Sequence, residues 1–263
     1  MKDDPVLLYT VADGIASITL NRPTKLNAFT REMLLLLRDA LDDAATRKDI
    51  KVIAITGAGR GFCAGQDLGE RDPRNLEKPL DLERIQKEIF HPIVLCMAQM
   101  KKPIVACVNG IAAGAGSSIA LAADIVIAKE SAVFSQSFVK VGLSVDAGGG
   151  LQLVRALGSA RARALLMLGG SLTANEAAKS GLIWKSIKPE DFSTECQVVL
   201  KQLVQAPSTA LACIKAVVSE ASASVDMETY LNTEAEFQGI AGQNKDYAEG
   251  VLAFLEKRKV MFE

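Results

Sequence analysis

Two apolar runs in this chain end in the same way. Val52–Thr56 stops at GAGRGFCAGQDL and Ile104–Val108 stops at NGIAAGAGSSIALAAD, so each run reads as a buried strand that opens into glycine and alanine. Small residues at a strand exit let another backbone, or a ligand, come close, and they leave main-chain N–H groups unscreened. If the two turns converge on one atom, they form an oxyanion hole. If they do not, they are tight turns of an α/β sheet. Both readings stay open on pattern alone.

Around these runs the pattern alternates between strand and helix signals. Val6–Tyr9 and Ile15–Leu20 predict a hairpin turning at Asp13-Gly14. Thr30–Ala45 predicts a helix with Thr30 as its N-cap and Leu and Met on the inner face. Gly69–Pro79, charged and with two prolines, predicts a surface loop; Leu82–Met100 predicts one helix. A short helix over Ser117–Ala123 and a third strand over Asp124–Ala128 follow the second turn. Phe134–Gly142 reads as irregular or short strand, and helices flank Gly158-Ser159. Thr173 to Glu176 has the form of a capping box, Gly181 ends that helix, and Ile183–Ile187 is the last strand. From Pro189 the chain is helical, which divides it into a core over 1–195 and a helical region over 196–263.

Composition narrows the classes. With 263 residues, 49 % of them apolar, the chain can bury a large core, and its net charge of −1 argues against a general nucleic-acid or anionic-membrane binder. The five cysteines form no CxxC pair and mostly stand in apolar or small-residue runs, as expected of free thiols in a reducing compartment. The acidic opening MKDDPVLLYT lacks the apolar core of a signal peptide, and no apolar stretch is long enough to span a bilayer, so a soluble cytoplasmic protein is expected. His91, the only histidine, excludes a multi-histidine metal site; no metal site is expected. His91 reads as a packed or helix-end residue, Cys63 as an inert small residue, Asp124 as a polar residue at an element end, and Trp184 as core.

Four segments then carry a resemblance over nearly the whole length: LNRPTKLNAF (Leu20–Phe29), GAGRGFCAGQDL (Gly57–Leu68), KPIVACVNGIAAGAG (Lys102–Gly116) and EGVLAFLEKR (Glu249–Arg258). In this order and spacing the chain resembles the crotonase superfamily, the enoyl-CoA hydratase/isomerase family. The resemblance implies an α/β fold, a spiral of repeated ββα units with a C-terminal helical region used in trimerisation. It also implies homotrimers or dimers of trimers, and an acyl-CoA substrate with no separate cofactor. The thioester oxygen would lie between the main-chain N–H groups of Gln66 and Ala115, whose side chains are indifferent to that role. Lys25, Leu26 and Ala28, with Ala64, Asp67 and Leu68, match the turns along CoA. Gly116 and Phe138 join the substrate-binding set. Phe254 and Lys257 match residues that reach the CoA of an adjacent subunit. For Lys25 and Lys257, a solvated surface lysine is the alternative.

The carboxylates decide the reaction. Hydratases of the family use two glutamates to place water; this chain has Ser118 and Phe138 at the matching positions, and neither is a carboxylate base. Asp146, in VGLSVDAGGG, matches the aspartate that some isomerases and a dehalogenase of the superfamily use on the acyl group. The dehalogenases have a tryptophan where this chain has Phe138. Among family branches the chain is most similar to the ring-1,2-epoxyphenylacetyl-CoA isomerases of phenylacetate breakdown, which also shift a double bond in enoyl-CoA. Asp146 is therefore expected to move a proton while the oxyanion is held; the alternative is that it merely caps the following helix. Burial would raise its pKa and the helix dipole would lower it. An enoyl-CoA hydratase is the runner-up activity. A nicotinamide-dinucleotide oxidoreductase, from a different class, fails on spacing: Phe62 and Ile119 stand where a third glycine belongs.

Overall fold

The computed structural model describes residues 4–223 and 226–262; residues 1–3, which supply part of the acidic opening, lie outside it. β1 (Leu7–Ala12) and β2 (Ile15–Leu20) make the expected antiparallel hairpin. Its turn holds Asp13 at φ 51° and Gly14 at φ 79°, the pair of positive angles whose twist suits adjacent strands. α1 (Arg31–Thr46) then crosses back, and the Thr30 side chain caps it by accepting from the Met33 N–H at 3.2 Å. Met33, Leu34, Leu37 and Leu41 form its buried stripe, each contributing on the order of 1.5–3 kcal/mol.

From here the chain repeats one unit. β3 (Val52–Gly57) is followed by β4 (Gly61–Cys63), β5 (Ile104–Val108) by β6 (Ile111–Ala113), and β7 (Ile125–Lys129) by β8 (Val133–Ser135). The first member of each pair joins one sheet and the second joins another. With β9 (Ser171–Thr173) and β10 (Lys185–Ile187), the orders are β1-β2-β3-β5-β7-β10 and β4-β6-β8-β9. Neighbouring units pair in parallel in both sheets. Two strands and a helix per turn of chain is the ββα spiral that the resemblance implies. β4 and β6 escaped the sequence reading because three residues with glycine or alanine carry no alternation, whereas β8 overlaps the start of Phe134–Gly142, read as irregular or short strand.

The helices between units differ in one place from expectation. Leu82–Met100 is interrupted: α2 (Leu82–Ile85) runs into a π-helical turn over Gln86–Phe90 before α3 (His91–Gln99). α4 (Ala115–Leu121) starts straight from the second glycine turn, and α5 (Gly149–Met167) kinks at Gly158, with φ 75° and ψ 159°. α6 (Ala174–Lys179) carries the full Thr173/Glu176 capping box. α7 (Phe192–Gln205), α8 (Ser208–Ala221), α9 (Met227–Gly242) and α10 (Lys245–Glu256) complete the chain.

Alternate residues of each central strand feed two cores. Ile53, Ile55, Ile104 and Ala106 face the larger one, with α1, α3, α4 and the four-stranded sheet. Val52, Ala54, Val105, Cys107 and Ile127 face Cys196, Val199 and Leu200 of α7. The 195/196 division thus falls inside α7, a helix packed on the six-stranded sheet. Lys215 of α8 is tied to the same body: its Nζ donates to Asp124 Oδ2 at 2.9 Å and to the Met97 carbonyl at 2.8 Å, while Asp124 also accepts from the Ile104 N–H. Asp124 is therefore a junction between strand edge and helix. Trp184 is not core: it is 52 % exposed, and Lys185 Nζ stands 4.3 Å from its ring centroid. It directly precedes the edge strand β10, so its ring is left on the surface. His91 is exposed at the start of α3.

Candidate active site

The two glycine turns are pressed together, backbone on backbone. A methyl group at Gly116 would lie 2.7 Å from Cys63 Cβ and would also strike the Cys63 carbonyl oxygen. One at Gly65, whose φ is +93°, would lie 2.9 Å from the Ala113 carbonyl and 3.8 Å from the Ala115 nitrogen. Glycine is required at both positions by contact, and at Gly65 by conformation as well.

This packing leaves two donors unused. Phe29 bridges the first turn: its N–H donates to the Gly65 carbonyl at 2.7 Å, and its carbonyl accepts from the Asp67 N–H at 2.9 Å. The Gln66 N–H between them points away from that ladder. Ala115 is the first residue of α4, where an N–H has no partner within its own helix. Among the described residues, neither the Gln66 nor the Ala115 N–H has an acceptor.

Asp146 stands at the same place. It does not cap α5: the cap residue is Gly148, with no side-chain cap bond, and only the Asp146 main-chain carbonyl accepts from the Gly149 N–H. Ala147 at φ 47° and Gly148 at φ 76° turn the chain sharply after it. Its carboxylate instead accepts on Oδ2 from Gln66 Nε2 at 2.7 Å and from Gln86 Nε2 at 3.1 Å. Asp146 Oδ1 is buried without a donor among the described residues, as are the Oε1 atoms of both glutamines. Burial raises the Asp146 pKa above the ordinary carboxylate value. The bonds from Gln66 and Gln86 and the charge of Arg71 oppose that rise without cancelling it.

Sequence reasoning pointed to Gln66 for its main chain; its side chain joins the site as well. Gln86 and Arg71 were missed. Gln86 depends on the π turn, and Arg71 ends a 3-10 turn, Leu68–Arg71, inside the expected surface loop. Arg71 is half-buried, and desolvation lowers its pKa against the pull of Asp146 and Glu70. Cys63 is fully buried with its thiol pushed up to about 12, which keeps it protonated and inert near neutral pH.

Ser118 and Phe138 lie close by. A methyl group at Gly149 would strike Ser118 Oγ, so α4 and α5 close over the serine. Phe138, buried in a 3-10 turn over Ser137–Val141, lies against Gly114: a methyl there would come 3.7 Å from its ring. The expected CoA turns also cluster. The Ala64 N–H donates to the Leu26 carbonyl at 2.9 Å, and Arg22 joins Asp67 at 2.7 Å while also donating to the Ala28 carbonyl. Asn27, fully buried at φ 56°, donates to the Ala58 and Gly61 carbonyls and so fixes this turn to the first glycine turn. Lys25 and Leu68 are exposed on its rim. Phe254 and Lys257 are not brought to this cluster within the chain. They lie on and just after α10, with Phe254 84 % exposed beside a groove lined by Pro207, Gly250 and Phe262.

Comparison with known proteins gives the family. Residues 10–263 match the family model of enoyl-CoA hydratase/isomerase. The 1,2-epoxyphenylacetyl-CoA isomerase of Escherichia coli K12 is 40 % identical over 256 residues, covering 97 % of each chain. The probable enoyl-CoA hydratase of Rhodobacter capsulatus is 41 % identical over 254 residues, covering 97 % of this chain and 96 % of the relative. A crystal structure of an enoyl-CoA hydratase from Polaromonas sp. JS666 superposes with a TM-score of 0.89 at 33 % identity, covering 98 % of this chain and 99 % of that one.

Proposed function

We propose that this chain, which belongs to the enoyl-CoA hydratase/isomerase family of acyl-CoA enzymes, is an isomerase that uses Asp146 as its proton carrier. One observation carries the reading: a half-buried carboxylate with a raised pKa is bonded to the residue that supplies one of two unused N–H groups. In this reading the Gln66 and Ala115 N–H groups hold the thioester oxygen. Asp146 removes a proton from the carbon next to the thioester, the electron pair moves onto that oxygen, and the enolate is stabilised by both donors. The same carboxyl then returns the proton two carbons further along, which moves the double bond into conjugation. No atom is gained or lost, and no cofactor enters; CoA is part of the substrate.

Desolvation suits this task. A carboxylate with a raised pKa is a stronger base, and its efficiency rises as its pKa nears the working pH. Water addition by the two-glutamate route has no support, since Ser118 and Phe138 fill the matching positions. Likeness to the Escherichia coli isomerase supports ring-1,2-epoxyphenylacetyl-CoA as the substrate, beside Δ3-enoyl-CoA. The similar identity to a hydratase keeps crotonyl-CoA hydration as the second reading. Lys25, Leu26, Ala28, Ala64, Asp67 and Leu68 line the CoA path in this proposal, with Gly116 and Phe138 at the acyl end. Phe254 and Lys257 reach CoA from an adjacent subunit of a homotrimer or dimer of trimers. The exposed Ile214, Val218, Leu231 and Leu255 on α8 to α10 support such an assembly.

Turnover of Δ3-enoyl-CoA, ring-epoxide phenylacetyl-CoA and crotonyl-CoA by the parent and by Asp146→Asn tests the reading. Isomerisation falling by about 100-fold or more in the variant, with negligible hydration by the parent, is expected. Hydration that survives Asp146→Asn would favour the second reading.

A further inference from the structure

We propose that Gln86 is a positioning residue that, together with the Gln66 side chain, occupies Asp146 Oδ2 and leaves Oδ1 as the oxygen that carries the proton. The inference rests on the reading of Asp146 as the base. Its own support is geometric. Both carboxamides direct N–H to the same oxygen, at 2.7 Å and 3.1 Å, and each keeps its own oxygen buried and without a donor. An amide turned the other way would present oxygen to oxygen, so this orientation suits the ionised carboxylate. Oδ1, buried and unpartnered, retains the lone pairs that a base needs.

The backbone around Gln86 is built to deliver it. The π turn over Gln86–Phe90 adds a residue to the helical repeat and so shifts the face on which Gln86 lies. Ile89 and Phe90, both buried, anchor that turn. Phe90 packs edge-on against Phe29, with centroids 6.4 Å apart and planes at 75°. Phe29 is also the residue that bridges Gln66. One aromatic pair thus sets the position of both amides that meet on Asp146.

Arg71, from the 3-10 turn, is the one charged side chain among the described residues that acts on Asp146, with Glu70 beside it. The hydrogen bonds to the carboxylate come from the two amides. Burial favours the neutral acid, and the amides oppose it, holding Asp146 within reach of ionisation. Removing one donor therefore raises the Asp146 pKa further.

Gln86→Met removes the donor and keeps the bulk; Gln86→Glu keeps the length and adds a like charge. The acid limb of the kcat/KM profile for isomerisation is read beside the 13C titration of the Asp146 carboxyl, which needs no turnover. Gln86→Met is expected to lower kcat about tenfold with KM little changed, and to move both limb and titration up by about one pH unit. Gln86→Glu is expected to move them further. A limb and a titration that stay at the parent's positions in both variants would overturn the proposal. Asp146→Asn separates the two failures. Full activity there removes the base itself, whereas a dead Asp146→Asn beside an unmoved Gln86→Met overturns Gln86 alone.

Discussion

Asp146 costs the fold something at neutral pH. Its pKa is raised in the folded chain, with burial as the largest cause, so the folded state binds this proton more tightly than the unfolded one. Its contribution is complete below the unfolded carboxylate range, near about pH 4, and is lost as pH rises through the raised folded value. Asp146→Asn removes that loss while keeping an oxygen for both glutamine donors. Its thermal midpoint at pH 7 is expected to exceed the parent's, with the gap closing toward about pH 4. Thermal scans across that range check it; a gap independent of pH would place the effect elsewhere. Asp146 was legible in the sequence because an aspartate before a glycine run matched the family pattern. Its bonding was not, because Gln66 and Gln86 lie 80 and 60 residues away along the chain. The exposure of Trp184 was equally hidden, since an apolar run of that length reads the same at a sheet edge as in its centre.

At the scale of elements, the glycine turns are the most legible feature and the most constrained. The apolar runs fix β3 and β5. The small residues after them predict close approach, and the contact between Gly116 and Cys63 is that approach. Gly116→Ala drives a methyl group into the Cys63 main chain, which no side-chain rotation relieves. We expect a loss of at least about 2 kcal/mol in unfolding free energy, together with isomerase activity, measurable by urea titration and assay. A variant as stable as the parent would show that the turns can part. The π turn was beyond reach of the sequence, because Leu82–Met100 keeps a helical pattern on both sides of it. Its last residue, Phe90, packs on Phe29, a tertiary contact that the local pattern does not encode.

Across the whole molecule, the spiral is what turns separate segments into one site. Each turn of chain returns its second strand to the same small sheet, so the exits of β4 and β6 lie side by side although 50 residues separate their starts (Gly61 and Ile111). The Gln66 and Gln86 side chains then meet on the Asp146 carboxyl, and the turn at Gly65 lies against the start of α4. Among the described residues no helix is long and apolar enough to cross a membrane. Among the exposed large apolar residues, Ile214, Val218, Leu231, Val251 and Leu255 lie on α8 to α10, the region that the proposed assembly would cover. The central claim is that Asp146 moves a carbon-bound proton. Hydrogen transfer tests it most directly: Δ3-enoyl-CoA deuterated at the carbon next to the thioester is incubated with the parent and with Asp146→Asn, and the positions of the double bond and of the deuterium are followed by mass and NMR. The account predicts double-bond migration by the parent with deuterium carried two carbons further along, both lost in the variant. Equal migration and transfer by Asp146→Asn would contradict it.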